Sequence, residues 1–470
     1  MFLHLDQHAG VHTALKDTAG RSLTYEQLRQ DIETIKRKLP TRTLAFCMCT
    51  NTVGCVVGYL AMVEAGVVPV MLSASISDDF LGNLLETYKP SIVWFPAESK
   101  KDFDAEPVLE LNGYRLAFTD APVCPLNDEI ELCMSTSGST GSPKLVRYKQ
   151  GNLEANARNV AKAFSWTSKE RAFADLGLQY TMGLNVVNTH LFVGATVLLC
   201  DYNPISNEYW NYLEHERATN ITGVPFTFEI FSRLHFFQKE LPHLTTIAQG
   251  GGKLSDKRFR DLANYAEATG KRFFATFGTT ETSARLAYLP PELAREKIGS
   301  IGGPIPEGEL FLIDERGERI DDPVAEGEMC YSGPNVTMGY ATRRSDLLLG
   351  DEWQGTYRTG DLARRDEGGC YYITGRLSRF VKLLGHRVSL DECEQILLQE
   401  NDVVAACVGN DQKIVVFVEG VDDAAPHAES LRKAIGIRPS QCEGRSISVI
   451  PRNETGKIQY KLLDAEVCCG

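Results

Sequence analysis

Over the first 120 residues, helical patterns of apolar and polar positions alternate with short unbroken apolar runs. The helical patterns predict helices over 24–39, 53–65 and 79–88, and the apolar runs predict strands over 44–49, 67–72 and 92–95. That alternation argues for βα units on a largely parallel sheet. A second series follows, with helices over 151–163 and 182–192 and strands over 196–200, 221–224, 246–249 and 273–277. Its last two strands run into loops of Gly, Thr or Ser, the place where open α/β sheets hold their ligands. Residues from about 298 to 375 are richer in Gly, Pro and short strands and predict a β-rich subdomain. From Leu390 a small α/β unit begins, with helices over 391–399 and 429–435 and strands over 403–408, 414–418 and 446–450. The expected fold class is therefore α/β. A large N-terminal domain over 1–377 precedes a small α+β C-terminal domain over 378–470.

Composition narrows the function more than the fold. A chain of 470 residues with 43% hydrophobic and 24% charged positions buries a core large enough for two or three domains. Its net charge of −13 opposes a phosphate backbone, which argues against nucleic acid while leaving room for a single nucleotide held by backbone dipoles. No basic region precedes an apolar run at the start, and the longest apolar stretch, 53–63, is about half a membrane span. A cytoplasmic enzyme without a membrane span is expected. The 13 cysteines include no CxxC pair and are expected to be reduced and mostly buried, with Cys47 and Cys49 in a strand core. The absence of HExxH, GxSxG and GxxxxGK sets aside metalloprotease, serine-hydrolase and P-loop chemistry.

The segment with the clearest chemistry runs from Ser135 through Thr136, Ser137, Gly138, Ser139, Thr140 and Gly141 to Lys144, after a strand-like 130–134. Hydroxyls and glycines let a backbone approach polyphosphate closely and turn its N–H groups inward, and Lys144 adds positive charge. A Ser/Gly run also has the composition of a flexible linker. Its place after a strand, ending in Pro143-Lys144, favours phosphate.

This loop resembles the phosphate-binding signature of the acyl-adenylate-forming superfamily, which holds acyl-CoA synthetases, peptide-synthetase adenylation domains and firefly luciferase. Further segments match that family in order. Leu23 to Leu28 resembles its TYxEL, Gly250-Gly251-Gly252 its adenine turn, and Phe277-Gly278-Thr279-Thr280-Glu281 its YGxTE. The pairs Gly327-Glu328, Gly333-Pro334 and Gly339-Tyr340 resemble its GE, GP and GY, and Tyr357 to Asp361 reads YRTGD without change. Gly375-Arg376, the stretch from Lys382 through Gly385 to Arg387, and Pro451 to Lys457 complete the series over nearly the whole chain.

The resemblance implies a reaction and a site. A carboxylic acid is activated by ATP as its acyl-adenylate, and the acyl group passes to the phosphopantetheine thiol of CoA or a carrier protein. An amine or hydroxyl acceptor and a non-catalytic nucleotide-binding relative are the alternatives. Lys457 matches the adenylation lysine, Thr280 a donor to the α-phosphate and Glu281 the Mg²⁺ ligand, a carboxylate suited to that hard cation. Phe277 and the flat turn at Gly250, Gly251 and Gly252 suit adenine, although Phe277 is equally placed to be strand core. Gly278, Thr279 and the loop from Thr136 to Lys144 complete the nucleotide site, and Asp361 with Arg376 suits the ribose. The acid pocket is expected near Tyr180, Gly183 and Pro225, with Tyr180 alternatively in the helix-start core. Ser378 stands at the hinge, where the family has Asp or Lys, and Lys382, Gly385 and Arg387 belong to the thiol half-reaction. No Asp occurs from Gln179 to Leu191 to hold a substrate ammonium, which argues against an α-amino acid.

Overall fold

The computed structural model describes the chain except for residues 41, 136–143, 384–385, 402, 454–455 and 469–470. It divides into two compact units, one formed by Met1–Leu310 with Tyr331–Tyr357 and the other by Phe311–Cys330 with Arg358–Gly470. The hinge expected at 377/378 thus lies within the second unit, because compactness groups the strands before it with the C-terminal residues.

The first unit is built on two large mixed sheets. One carries nine strands in the order Gly303–Pro304, Ala287–Leu289, Arg272–Phe277, Thr246–Gln249, Asn220–Gly223, Arg171–Ala174, Thr196–Leu199, Thr13–Asp17, Ser22–Thr24. Its centre, from Arg272–Phe277 to Thr13–Asp17, is parallel throughout. The other has eight strands, with Ile130–Ser135, Val68–Ser73, Leu44–Cys49 and Ile92–Pro96 parallel at its centre. One hydrophobic core joins residues of both sheets to the helices Tyr25–Lys36, Val53–Glu64 and Thr181–Phe192. Helix Val53–Glu64 is buried continuously from Val53 to Met62, the fate of a helix apolar on every side. Trp94 lies so close to it that a Cβ at Gly58 would fall 2.0 Å from the indole nitrogen, which donates to Gly54 O at 3.0 Å.

Local signals account for individual elements. Thr24 starts helix Tyr25–Lys36 with a capping box, its hydroxyl accepting from Gln27 N while Gln27 Oε1 accepts from Thr24 N. Tyr25 then anchors the helix by donating to Ala195 O at 2.7 Å. A four-stranded sheet of Glu309–Ile313, Ala325–Ser332, Thr356–Arg365 and Tyr371–Arg376, most of whose residues belong to the second unit, bears out the expected wealth of strands. A hairpin, Phe380–Leu383 with His386–Ser389, leads to helix Leu390–Asn401 and a three-stranded sheet. The last strand of that sheet is Cys442–Ile447 instead of 446–450, because it runs along an edge and is only half-buried, which weakens its apolar pattern. Among the described residues no helix is long and apolar enough to cross a membrane.

Candidate active site

In the first unit, the neighbouring parallel strands Asn220–Gly223, Thr246–Gln249 and Arg272–Phe277 end side by side. Their carboxyl ends lead into Val224-Pro225, Gly250 to Gly252, and Gly278 to Glu281. The glycine turn is pinned from both sides, by Thr276 Oγ1 donating to Gln249 O at 2.6 Å and by Gln249 Nε2 donating to Gly252 O at 2.6 Å. A Cβ at Gly250 would fall 2.3 Å from Met182 Cε, and one at Gly252 would fall 3.1 Å from Pro225 Cγ. Met182 and Gly183 belong to the first turn of helix Thr181–Phe192, for which Tyr180 is the N-cap. The expected acid-pocket residues Tyr180, Gly183 and Pro225 and the expected adenine turn therefore share one neighbourhood.

The segment Phe277 to Ser283 is held by backbone and side-chain contacts. A Cβ at Gly278 would fall 1.4 Å from Ala284 O, so only glycine permits the tight return of the chain there. Tyr148 donates to Thr280 O at 2.8 Å, and Thr337 contacts Glu281 O through both its N–H and its hydroxyl. Asn335 donates to Thr282 O at 2.7 Å, while Ser283 returns a bond to Asn335 O at 2.8 Å. Tyr340 OH donates to Glu281 Oε1 at 2.7 Å, and the Lys144 ammonium stands 3.3 Å from the Tyr340 ring centroid. Lys144, Thr280 and Glu281 are thus drawn together around Tyr340. The second oxygen of Glu281 receives no hydrogen bond among the described residues, so it suits a hard cation such as Mg²⁺. Thr136, Ser137, Gly138, Ser139, Thr140 and Gly141 lie outside the described residues, as does Gly385.

Sequence reasoning did not assign roles to Tyr148, Asn335, Thr337 or Tyr340. Tyr340 was signalled as half of the Gly339-Tyr340 pair, but only the folded chain joins it to Glu281, 59 positions away.

In the second unit, Asp361 and Arg376 face each other across strands Thr356–Arg365 and Tyr371–Arg376. Arg376 Nε donates to Asp361 Oδ1 at 2.7 Å, with the Asp361 side chain buried and that of Arg376 exposed. Arg358 pairs with the buried Glu328, and Thr359 donates to Met329 O at 2.7 Å, which ties the YRTGD segment to the strand bearing Glu328. Ser378 lies in a short 3₁₀ turn, Leu377–Arg379, and the backbones of Lys382 and Arg387 pair in register on the hairpin that follows. Lys457 sits on a turn closed by Asn453. Its N–H bonds Asn453 Oδ1 at 2.9 Å, its carbonyl accepts from Asn453 N at 2.9 Å, and its side chain is exposed.

Residues 4–341 match the model of the AMP-binding enzyme family. The oxalate–CoA ligase of Arabidopsis thaliana is 30% identical over 59% of this chain, a match that spans about half, 54%, of that enzyme. The indoleacetate–CoA ligase of Aromatoleum aromaticum is 26% identical over 97% of this chain and 96% of its own. Among solved structures, the O-succinylbenzoate coenzyme A synthetase of Bacillus subtilis in complex with AMP superposes with a TM-score of 0.79. That match covers 97% of this chain and 96% of the other at 21% identity, a likeness of fold.

Proposed function

Because the chain belongs to the AMP-binding enzyme family, we propose that it activates a carboxylic acid with ATP as an acyl-adenylate and passes the acyl group to the thiol of CoA or a phosphopantetheine carrier protein. The observation that carries this reading is the clamped turn bearing Thr280 and Glu281 at the carboxyl ends of the parallel strands. Hydrogen bonds from two other segments fix it in advance, as a site that must stabilise developing phosphate charge requires.

A carboxylate is a poor electrophile, so the first half-reaction has it attack the α-phosphorus in line and expel pyrophosphate. Thr280 donates to the attacked phosphate, and Lys457 holds the incoming carboxylate and the α-phosphate together, neutralising charge that builds up at phosphorus. The loop from Thr136 to Lys144 takes the leaving pyrophosphate. Glu281 would hold Mg²⁺, which when bound offsets the charge of the polyphosphate. Gly250 to Gly252, Phe277, Gly278 and Thr279 seat the adenine side of the nucleotide, Asp361 takes the ribose hydroxyls, and Arg376 orients Asp361. The acid enters near Tyr180, Gly183 and Pro225.

In the second half-reaction the thiol attacks the mixed anhydride, giving a thioester and AMP. Turning about Ser378 withdraws Lys457 and brings in the hairpin of Lys382, Gly385 and Arg387. The cytoplasm is the setting this reading favours. Product analysis with ATP, an accepted acid and CoA tests the second step. Thioester with AMP release is expected, whereas acylated amine or hydroxylamine with no thioester overturns the thiol acceptor.

A further inference from the structure

Four residues after Glu281 stands a buried guanidinium. Arg285 is 0% exposed, and no carboxylate pairs with it among the described residues. One guanidinium nitrogen donates to Asn185 Oδ1 and another to Thr222 Oγ1 at 3.1 Å, while Nε is buried with no acceptor among the described residues. The Phe164 and Trp166 ring centroids lie 5.3 and 6.0 Å away and give it a partial cation–π setting. Burial alone draws its pKa down to about 9, leaving it charged at neutral pH. A buried guanidinium without a carboxylate is an expensive way to fill a core, because neither two neutral acceptors nor an aromatic wall replaces its hydration.

A closed ring of amides holds the residue in place. Asn156 Nδ2 donates to Arg285 O at 2.7 Å, Asn185 Nδ2 donates to Asn156 Oδ1 at 2.7 Å, and Asn185 Oδ1 accepts from the guanidinium. Both amide orientations follow from this ring, and the Asn185 oxygen must face the arginine. Asn185 stands two residues beyond Gly183 on the helix that Tyr180 caps, and Thr222 stands three residues before Pro225. A gap too small to admit water, with Thr181, Leu184, Asn185 and Ser283 in its wall, lies beside the same helix, so an entering group has to part these side chains. The charge therefore lies against helix Thr181–Phe192 and strand Asn220–Gly223, the elements that lead to the expected acid pocket.

We propose that Arg285 is the specificity residue of that pocket, and that the substrate is an acid carrying a second anionic group at its far end, such as a dicarboxylate or a sulfocarboxylate. The inference rests on the adenylation reading and names the acid class it would take. The near carboxylate reacts, while the far anion supplies the counter-charge and the missing acceptor for Nε, displacing the weaker Asn185 or Thr222 contact. Selectivity arises because an acid ending in an alkyl or aryl group leaves the guanidinium buried and unpaired.

The test is ATP–pyrophosphate exchange with acids matched in length and differing only at the far end: butanoate against succinate, hexanoate against adipate, and benzoate against terephthalate. The wild-type enzyme is expected to favour a dianionic member by at least about tenfold in kcat/KM, the usual scale for a charge-assisted contact. Arg285→Met is expected to erase that preference by raising KM for the dianionic acid while leaving KM for ATP unchanged, and Arg285→Lys to restore part of it. Equal or better use of the monocarboxylates by wild type overturns this inference alone, whether or not the variants fold. Uniform loss with every acid in Arg285→Met, at unchanged preference, overturns it in favour of a structural pin. Exchange with no acid at all overturns the adenylation reading and this inference with it.

Discussion

The guanidinium of Arg379 lies over the ring of Tyr460, 3.6 Å from its centroid, and both side chains grip Glu394. Arg379 donates to Glu394 Oε1 at 2.6 Å and Tyr460 to Oε2 at 3.0 Å, while Cys407 N also donates to Oε1 at 2.8 Å. Arg379 immediately follows Ser378, and Tyr460 is three residues beyond Lys457. On the other side of Ser378, Arg376 is bound to Asp361. Leu377 and Ser378 thus stand between two arginines anchored to different elements, and under the proposed domain turn a pivot at Ser378 would carry the lysine turn along with Arg379.

Tyr460→Phe removes one hydroxyl bond from a buried carboxylate and is expected to destabilise the protein by about 1–3 kcal/mol. Arg379→Ala leaves Glu394 buried without its cation, an effect of about 3–5 kcal/mol. Thermal unfolding should rank wild type above Tyr460→Phe above Arg379→Ala. At temperatures where Tyr460→Phe is folded, pyrophosphate exchange should slow through kcat while KM for the acid is kept. Equal stability of all three chains would show that the cluster does not tie the hinge to the lysine turn.

The bond from Tyr340 to Glu281 makes a second prediction. Glu281→Gln keeps the shape of the side chain but weakens its hold on a cation, and should lower exchange by about 10²–10³-fold with a raised requirement for Mg²⁺. Tyr340→Phe leaves the carboxylate in place but unsteadied, and should cost about tenfold or less, with the Mg²⁺ requirement little changed. The Mg²⁺ dependence of initial rates separates the two. A Glu281→Gln enzyme with wild-type Mg²⁺ dependence would remove Glu281 from the cation site.

Much of this arrangement was legible in the chain before it folded. The parallel centres of both sheets follow from apolar runs such as 44–49 and 246–249, and each matches an observed strand. The motif residues stand on strand ends and turns, where their types already placed them. What could not be read was pairing at a distance. Nothing near Tyr340 in sequence points to Glu281, nothing in Arg379 points to Tyr460, and nothing near Arg285 points to its partners on strand Asn220–Gly223 and helix Thr181–Phe192. The hairpin of Ala105–Leu111 and Tyr114–Thr119 went unread although Asn112-Gly113, both with positive φ, is a strong hairpin turn. Its outer strand is largely exposed and lacks a buried apolar stripe.

Stability should also carry the mark of Glu131, on strand Ile130–Ser135. Burial raises its pKa to about 8 from an ordinary 4.5, the Gly151 backbone opposes the rise, and the nearby Glu154 adds to it. One of its oxygens, Oε2, is buried with no hydrogen-bond partner. The folded state therefore binds this proton more tightly than the unfolded chain, so its stabilising contribution is complete below about pH 4.5 and is lost as the pH rises through about 8. The difference between the limits is of the order of 5 kcal/mol. Glu131→Gln keeps a neutral group there at every pH. The wild-type melting temperature should fall between pH 6 and pH 9 relative to that of Glu131→Gln, and parallel pH profiles would contradict the assignment.

The most direct test of the central claim is acid-dependent ATP–pyrophosphate exchange in the wild type and in Lys457→Ala. The wild type should exchange with at least one carboxylic acid, and the variant should lose exchange by about 10²-fold or more. Lys457→Ala should still bind ATP, and should still transfer the acyl group from a supplied acyl-adenylate to the thiol acceptor at a much less affected rate. An absence of exchange with every acid, or a Lys457→Ala enzyme that exchanges as the wild type does, would contradict the account.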